Sequence, residues 1–219
     1  MFPARIKLIK RGAKRPADMS ALISEEYRKM QEELHQNPNY GVASVQYAPI
    51  VAQVLDQVRP AELLDYGAGK GRLGETLKTL MPNPPRIHHY DPARPEWAAT
   101  PQPAPFVTCI DVLEHIEPGL LDNVLNDLQR VTSGHGVFTV HTGPAVKVLA
   151  DGRNAHLIQE PPDWWLPKFM SRFDLVVFQA MPQGFWVVVK ASDTKKFSEP
   201  AADKPGGLLR HALGSVFRS

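Results

Sequence analysis

The sequence Leu63-Leu64-Asp65-Tyr66-Gly67-Ala68-Gly69-Lys70-Gly71-Arg72-Leu73-Gly74 decides the fold of this chain. The apolar residues at its start predict a buried strand, the three alternating glycines predict a tight turn, and the residues after them begin an amphipathic helix. Glycine allows backbone dihedrals and a close approach to a ligand that a Cβ would prevent. A strand, a glycine turn and a helix in this order are typical of a nucleotide-type ligand site.

The glycines allow two interpretations. Read as Gly69-x-Gly71-x-x-Gly74 with an acid at Asp91, they satisfy the dinucleotide fingerprint, which predicts a nicotinamide-dependent oxidoreductase. Read as Asp65-x-Gly67-x-Gly69-x-Gly71, they place a carboxylate directly before the turn. That carboxylate would repel a pyrophosphate, whereas it would attract a cationic sulfonium ligand that carries an ammonium group. The second interpretation is therefore favoured.

Apolar periodicity predicts alternating strands and helices along the rest of the chain. The predicted strands are Leu63–Tyr66, Ile87–Asp91, Phe106–Ile110, Val137–Val140, Leu175–Gln179 and Phe185–Val189, the last two forming a terminal hairpin. The predicted helices are Ile23–Leu34, Val45–Val58, Leu73–Leu80, a helix from Leu120 that ends near Gly134, and a helix capped by Asp163 that reaches Met170. This order predicts an α/β, doubly wound, Rossmann-like sheet that is mostly parallel.

Two motifs carry a resemblance to the class I S-adenosylmethionine-dependent methyltransferases. The first is Asp65-Tyr66-Gly67-Ala68-Gly69-Lys70-Gly71, and the second is Asp111-Val112-Leu113-Glu114-His115-Ile116, which is similar to the segment after the fourth strand in small-molecule members. The resemblance extends from about Gly41 to Lys190. It implies a methyltransferase fold and S-adenosylmethionine as the cofactor.

The resemblance also implies the residues that bind the cofactor. Asp65, Tyr66 and the three glycines Gly67, Gly69 and Gly71 would line its methionine end, and Asp91 would accept hydrogen bonds from the ribose hydroxyls.

The sequence departs from the family after Asp91. Residues 92–105 are too few and too rich in proline for the helix and edge strand that the family has there. We therefore expect a sheet that lacks one edge strand. The adenine pocket would then be built by Trp97 and Ile110, with Asp111 accepting from the exocyclic amine.

Three histidines are candidates for binding the methyl acceptor or for removing its proton. His115, at the mouth of the predicted crevice, is the first candidate for the catalytic base, and His141 is the second. His156 belongs to the long segment between His141 and Asp163, which usually covers the acceptor in this fold. Trp164 and Trp165 follow this segment and could bind the acceptor by stacking.

Asp111, Glu114, His115 and His156 also resemble the acid-x-x-Glu-His pattern with a distant His of small-RNA 3′-terminal ribose methyltransferases, which bind a divalent metal there. The same Leu-Glu-His run occurs in many metal-free methyltransferases, so the sequence-based expectation is that no metal is bound.

Composition limits the class of protein. The 219 residues carry a formal net charge of +2, no apolar run approaches the length of a membrane span, and no apolar segment typical of a signal peptide follows the basic residues, so a cytoplasmic protein without a membrane contact is expected. The single cysteine, Cys109, is predicted to be a core thiol. We expect a basic arm and lid helix over 1–40, a methyltransferase domain over 41–192 and a polar tail over 193–219 that contains a short helix.

Alternatives to a small-molecule O- or N-methyltransferase remain at this stage. They are a metal-assisted RNA ribose methyltransferase, the nicotinamide-dependent oxidoreductase, and a non-catalytic module. Six Lys and Arg residues between Arg5 and Arg15 form an arm that could contact nucleic acid or simply be solvated. The sequence gives no indication of the oligomeric state.

Overall fold

A computed structural model describes residues 21–37 and 40–192. Its helices are α1 (Glu25–His35), α2 (Ser44–Val58), α3 (Arg72–Leu80), α4 (Leu121–Val131) and α5 (Pro162–Met170). Its strands are β1 (Glu62–Tyr66), β2 (Arg86–Tyr90), β3 (Ala104–Cys109), β4 (Thr132–His141), β5 (Phe173–Met181) and β6 (Gly184–Ala191).

The strands form one sheet in the order β2-β1-β3-β4-β6-β5. The pairs β2·β1, β1·β3 and β3·β4 are parallel, and β6 is antiparallel to both β4 and β5. Between β2 and β3 the chain forms only a short 3₁₀ turn, at Pro95–Trp97. The prediction of a mostly parallel sheet without the additional edge strand is therefore confirmed, because prolines prevent this segment from joining the sheet.

The sheet separates two apolar layers, as a doubly wound fold requires. One layer joins α2 and α3 to the strand residues Leu63, Phe106 and Val137. The other joins α4 and α5 to the next residue of each strand, Leu64, Val107 and Phe138. Successive side chains of a strand point to opposite faces, so each of these central strands contributes to both layers. All six of these side chains are buried.

Two local predictions are wrong. Helix α4 ends at Val131 and β4 begins at the next residue, so Gly134 lies inside the strand rather than at a helix end. A Cβ on Gly134 would lie 2.4 Å from the carbonyl oxygen of Pro105, so this glycine allows two strands to approach each other closely. Asp163 lies in the first turn of α5, whose N-cap is Pro161, and no side chain caps this helix.

Several predictions concern residues outside the described ranges. They include the basic arm and the short helix of the tail. Within 21–37 and 40–192, no helix has the length and apolar character needed to cross a membrane. Cys109 is fully buried in β3, and burial raises the pKa of its thiol well above the usual value.

Candidate functional site

A cavity of about 740 Å³ lies at the carboxyl ends of the parallel strands. Its walls include Gly67 after β1, Asp91 after β2, Asp111 after β3 and His141 at the end of β4. Ligands of open α/β sheets bind at this edge, because the loops that leave neighbouring strands diverge there.

Helix α1 covers the cavity with the side chains of Tyr27, Gln31 and His35. The N-cap Ser24 fixes this helix to the domain, since its amide and its hydroxyl both donate 2.8 Å hydrogen bonds to the carboxylate of Glu117.

The glycine turn combines an unusual backbone with tight packing. Gly67, Gly69 and Gly71 have φ values of 77°, 55° and 69°, in the left-handed region that other residues rarely adopt. A Cβ on Gly67 would lie 2.5 Å from a methyl group of Val112. Gly67 and Gly69 line the cavity, whereas Gly71 caps α3 beneath Trp97 and is not part of its wall.

Two buried carboxylates flank the turn. Asp91 is 6% exposed and accepts hydrogen bonds from the backbone amides of Gly69, at 2.8 Å, and Ala93, at 2.9 Å. Asp65 is 3% exposed and accepts a 3.0 Å hydrogen bond from the hydroxyl of Thr108. Both carboxylates are held in fixed orientations at the cavity wall.

Tyr66 also lies at the wall, but its hydroxyl donates a 2.9 Å hydrogen bond to Asp127 in α4. Burial raises the pKa of this phenol, which therefore remains protonated.

Three imidazoles, those of His115, His141 and His156, also line the cavity. The rings of His115 and His156 lie 4.7 Å apart and nearly perpendicular, and the ring of His141 lies 4.8 Å from that of His156. Nδ1 of His115 is 2.8 Å from the carbonyl oxygen of Ala155, and Nδ1 of His156 is 2.7 Å from that of Gly143. A carbonyl oxygen can only accept, so each Nδ1 carries the hydrogen and each Nε2 carries a lone pair in the neutral ring.

The surroundings keep these two imidazoles neutral. Burial away from water lowers the pKa of His115 to about 4 and also lowers the pKa of His156. The negative charge of Asp111 opposes this effect at both rings without cancelling it.

Asp111 completes this group. One potential ligand atom from each of Asp111, His115 and His156 lies within 4.8 Å of the other two. Asp111 has a φ of 58°, a strained conformation for a non-glycine residue, and its amide donates a 2.9 Å hydrogen bond to the hydroxyl of Thr139. The fold thus holds this carboxylate beside the imidazoles.

A family comparison identifies the class of protein. The model of a family described as "Methyltransferase domain" matches residues 39–179, which is more than half of the chain. The chain belongs to this methyltransferase family. The methyltransferase uses S-adenosylmethionine as its methyl donor, as the sequence predicted.

Solved structures agree with the fold of the methyltransferase. One similar structure is the 1,6-didemethyltoxoflavin-N1-methyltransferase of Burkholderia thailandensis, with a TM-score of 0.58 and 17% identity. It was solved with bound 1,6-didemethyltoxoflavin and S-adenosylhomocysteine. The match covers 83% of this chain and 95% of that one.

A putative O-methyltransferase from Nostoc punctiforme has a TM-score of 0.51 and 14% identity over 73% of this chain and 59% of its own. An O-methyltransferase family protein from B. thailandensis has a TM-score of 0.53 and 12% identity over 74% and 63%, respectively. The chain thus spans less than two thirds of these last two proteins. No curated protein sequence matches it.

Glu114 is not part of the group formed by Asp111, His115 and His156. Glu114 is fully buried, and its Oε1 accepts a 2.6 Å hydrogen bond from the backbone amide of His141. Burial, followed by the negative charge of Asp111, raises the pKa of Glu114 well above its usual value. Glu114 is therefore a protonated acid that joins two loops, and this differs from the pattern that includes it among four ligands.

His141 is less available than His115. Its Nε2 lies 3.2 Å from Oε1 of Gln183, and its Nδ1 lies 3.2 Å from the amide of Gly143. Both ring nitrogens therefore have protein partners.

The tryptophans lie away from the cavity wall. Trp165 is fully buried beside Phe169 and donates from Nε1 to the carbonyl oxygen of Glu160, and Trp164 packs under the ammonium group of Lys168. Trp97 packs against His89, 4.6 Å from it, whereas Ile110 does line the cavity. The i, i+4 spacing of Trp165 and Phe169 could have indicated a core position.

Sequence reasoning missed a hydrogen-bonded chain from the covering helix to His115. The hydroxyl of Tyr27 donates to the carbonyl oxygen of His115 at 2.6 Å, and the amide of Gln31 donates to Tyr27 at 2.6 Å. Tyr40 donates to Gln31 at 2.8 Å. The i, i+4 spacing of Tyr27 and Gln31 was the available indication.

Glu114→Gln is expected to stabilise the methyltransferase relative to wild type as the pH rises. The folded protein keeps the Glu114 proton while the unfolded chain loses it, so wild-type stability falls as the pH rises from about 4.5 toward the raised pKa. Glutamine has no proton to lose and can still accept from His141. Urea unfolding at about pH 5 and about pH 8 measures this difference.

Glu114→Ala is the comparison. It leaves the His141 amide without its partner and creates a cavity, so we expect a loss of about 2–4 kcal/mol in the free energy of unfolding. Equal pH dependence of wild type and Glu114→Gln would contradict a protonated Glu114.

His115 is expected to stay neutral down to about pH 4. Its folded pKa lies below that of the unfolded chain, so the contribution of His115 to stability should fall as the pH decreases from about 6.5 to about 4, and this contribution should not change further below that. Imidazole chemical shifts followed by NMR during acid titration measure this pKa directly, and His115→Gln assigns the signal. A midpoint near 6.5 would contradict the burial of this ring.

Proposed function

We propose that the methyltransferase transfers a methyl group to an oxygen or nitrogen of a small polar acceptor. One observation carries the proposal: a single cavity connects the glycine turn and its carboxylates to the group formed by Asp111, His115 and His156. Its volume is within the range of small-molecule sites, about 300–1,000 Å³. Acceptor and donor can therefore lie in line inside one enclosure.

The residues at the glycine turn fit the cofactor. The turn lets the backbone of Gly67 and Gly69 approach a ligand closely, and Asp65 offers a buried negative charge to the ammonium group of its methionine part. Each oxygen of Asp91 already accepts one backbone hydrogen bond and retains lone pairs for the ribose hydroxyls. We propose these roles for the three groups, with Ile110 in the apolar wall for adenine.

Asp111 receives a different role from the one that the sequence suggested. Its position beside two imidazoles favours the acceptor end of the cavity, so we propose that it acts on the acceptor instead of the adenine amine. His156 is proposed to bind the acceptor next to it.

The protein aligns the methyl donor with the acceptor, excludes water from the cavity and removes a proton from the acceptor. The bound cofactor supplies an activated methyl group. Helix α1 covers the cavity, and the Nε2 lone pair of His115 is the proposed acceptor of the substrate's proton. His141 is the second candidate, although its nitrogens already have partners.

Calorimetric titration with S-adenosylhomocysteine, NAD and NADP tests the cofactor assignment. We expect micromolar binding of S-adenosylhomocysteine alone, and at least about tenfold weaker binding by Asp65→Ala. Asp56→Ala, an exposed carboxylate in α2, is the matched control and should bind as wild type does. Binding of a nicotinamide cofactor alone would overturn the proposal in favour of an oxidoreductase, and binding of none would favour a non-catalytic module.

A screen of phenolic, sugar, nucleoside and heterocyclic amine acceptors with labelled S-adenosylmethionine then tests the acceptor class. Transfer to an RNA terminus, with none to small molecules, would contradict the proposal.

A further inference from the structure

Three atoms with lone pairs converge at the acceptor end of the cavity. They belong to Asp111, His115 and His156, and each lies within 4.8 Å of the other two. The negative charge of the carboxylate and the lone pairs of the two neutral imidazoles can all face one positive charge. This arrangement is therefore suited to a positively charged occupant.

Backbone contacts determine which imidazole nitrogens are free. Because the carbonyl oxygens of Ala155 and Gly143 take the Nδ1 hydrogens of His115 and His156, Nε2 is the nitrogen that each ring can offer. Metal-binding histidines characteristically donate their other ring N–H to a carbonyl or carboxylate, which fixes the tautomer and the orientation of the ring. Both histidines here have that second partner.

Hydrogen bonds within the protein hold these residues in place. The strained backbone of Asp111 is held by Thr139, and the carbonyl oxygen of His115 accepts from the buried hydroxyl of Tyr27. The amide of Ile158, two residues after His156, donates a 3.0 Å hydrogen bond to the carbonyl oxygen of Glu114. Two separate loops are thereby joined around the group.

We propose that Asp111, His115 and His156 bind a divalent cation. Two imidazole nitrogens and one carboxylate suit an ion of borderline hardness such as Zn²⁺ or Co²⁺, and such a three-residue set leaves coordination positions open. Bonds of about 2.1 Å place tetrahedral ligand atoms about 3.4 Å apart, so the group has to close by a small movement of side chains. Glu114, whose Oε1 accepts from the His141 amide, is not among the three residues whose potential ligand atoms converge.

The open positions face the proposed acceptor. On the basis of the proposed function, the cation orients acceptor oxygens and lowers the pKa of a bound hydroxyl. With the ion bound, the Nε2 lone pair of His115 is a metal ligand, so the hydroxyl proton passes to solvent instead of to His115. The binding of the ion itself does not depend on that function.

The test is calorimetric titration of the full, chelator-treated protein with Mn²⁺, Co²⁺ and Zn²⁺, together with the visible absorption spectrum of bound Co²⁺. We expect one site per chain and a Co²⁺ spectrum of low coordination number. His156→Gln and Asp111→Asn should each weaken binding by at least about tenfold. His135→Gln, which removes an imidazole of β4 outside the cavity wall, is the matched control and should leave affinity unchanged.

Thermal unfolding and S-adenosylhomocysteine binding of each variant separate loss of the site from loss of the fold. Absence of ion binding, or equal ion affinity in His156→Gln and His135→Gln, would overturn the inference. Metal binding in a protein that fails to bind S-adenosylhomocysteine would support this inference while overturning the proposed function. The reverse result would overturn only the metal site.

Discussion

Asp91→Ala is expected to reduce the affinity for S-adenosylhomocysteine by at least about a hundredfold, which corresponds to about 2.7 kcal/mol. The carboxylate holds two parts of the site at once, because it accepts from the amides of Gly69 and Ala93 and lines the cavity. Alanine leaves both amides without their partner and removes the proposed acceptor of the ribose hydroxyls. Calorimetric titration measures the loss.

Asp91→Asn distinguishes charge from geometry. The asparagine retains one acceptor oxygen but points an amide group at a second backbone donor, so we expect it to bind nearly as poorly as alanine does. Asp56→Asn is the matched control, since that carboxylate is exposed on α2. Wild-type affinity in Asp91→Asn would show that neither the charge nor the second oxygen is needed.

Gly67→Ala is expected to lower the free energy of unfolding by about 2–4 kcal/mol, or the melting temperature by about 5–15 °C, and to weaken cofactor binding. Two costs add up. The residue has a φ of 77°, and the new Cβ would lie 2.5 Å from one methyl of Val112 and 2.9 Å from the other. Any shift that relieves the contact moves the turn along the cavity wall.

Two further variants separate these costs. In Gly67→Ala combined with Val112→Ala, the clash is removed while the backbone strain remains, so only part of the stability should return. Gly119→Ala is the matched control, because a Cβ there would have no neighbour within 4 Å. Calorimetry and thermal unfolding of the three proteins check these expectations, and full stability in Gly67→Ala would contradict the packing argument.

The central sheet could be predicted because its information is local. Each strand is a short apolar run, the helices repeat their apolar residues at helical spacing, and prolines in residues 92–105 exclude a further strand. The acids at Asp65 and Asp91 follow from the same register, since a residue at the carboxyl end of a parallel strand reaches the ligand edge of the sheet.

Predictions about individual side chains were less successful where packing decides their direction. Trp164 and Trp165 have aromatic rings that could stack on an acceptor, yet Trp165 is fully buried in the core beside Phe169. Gly134 marked a helix end by its residue type, but a close approach to Pro105 places it in a strand. The type of a residue does not indicate where the neighbouring helix or strand lies.

The sequence by itself determined the alternating fold, the glycine turn and the two carboxylates beside it, because these depend on residues that are near one another in the chain. Only the tertiary structure decided that His115 and His156 meet beside Asp111, and that Glu114 is held apart by the His141 amide. It also decided that α1 covers the cavity. The physical reason is that these contacts join distant segments, and burial and hydrogen-bond partners at those junctions fix the direction and the protonation state of each side chain.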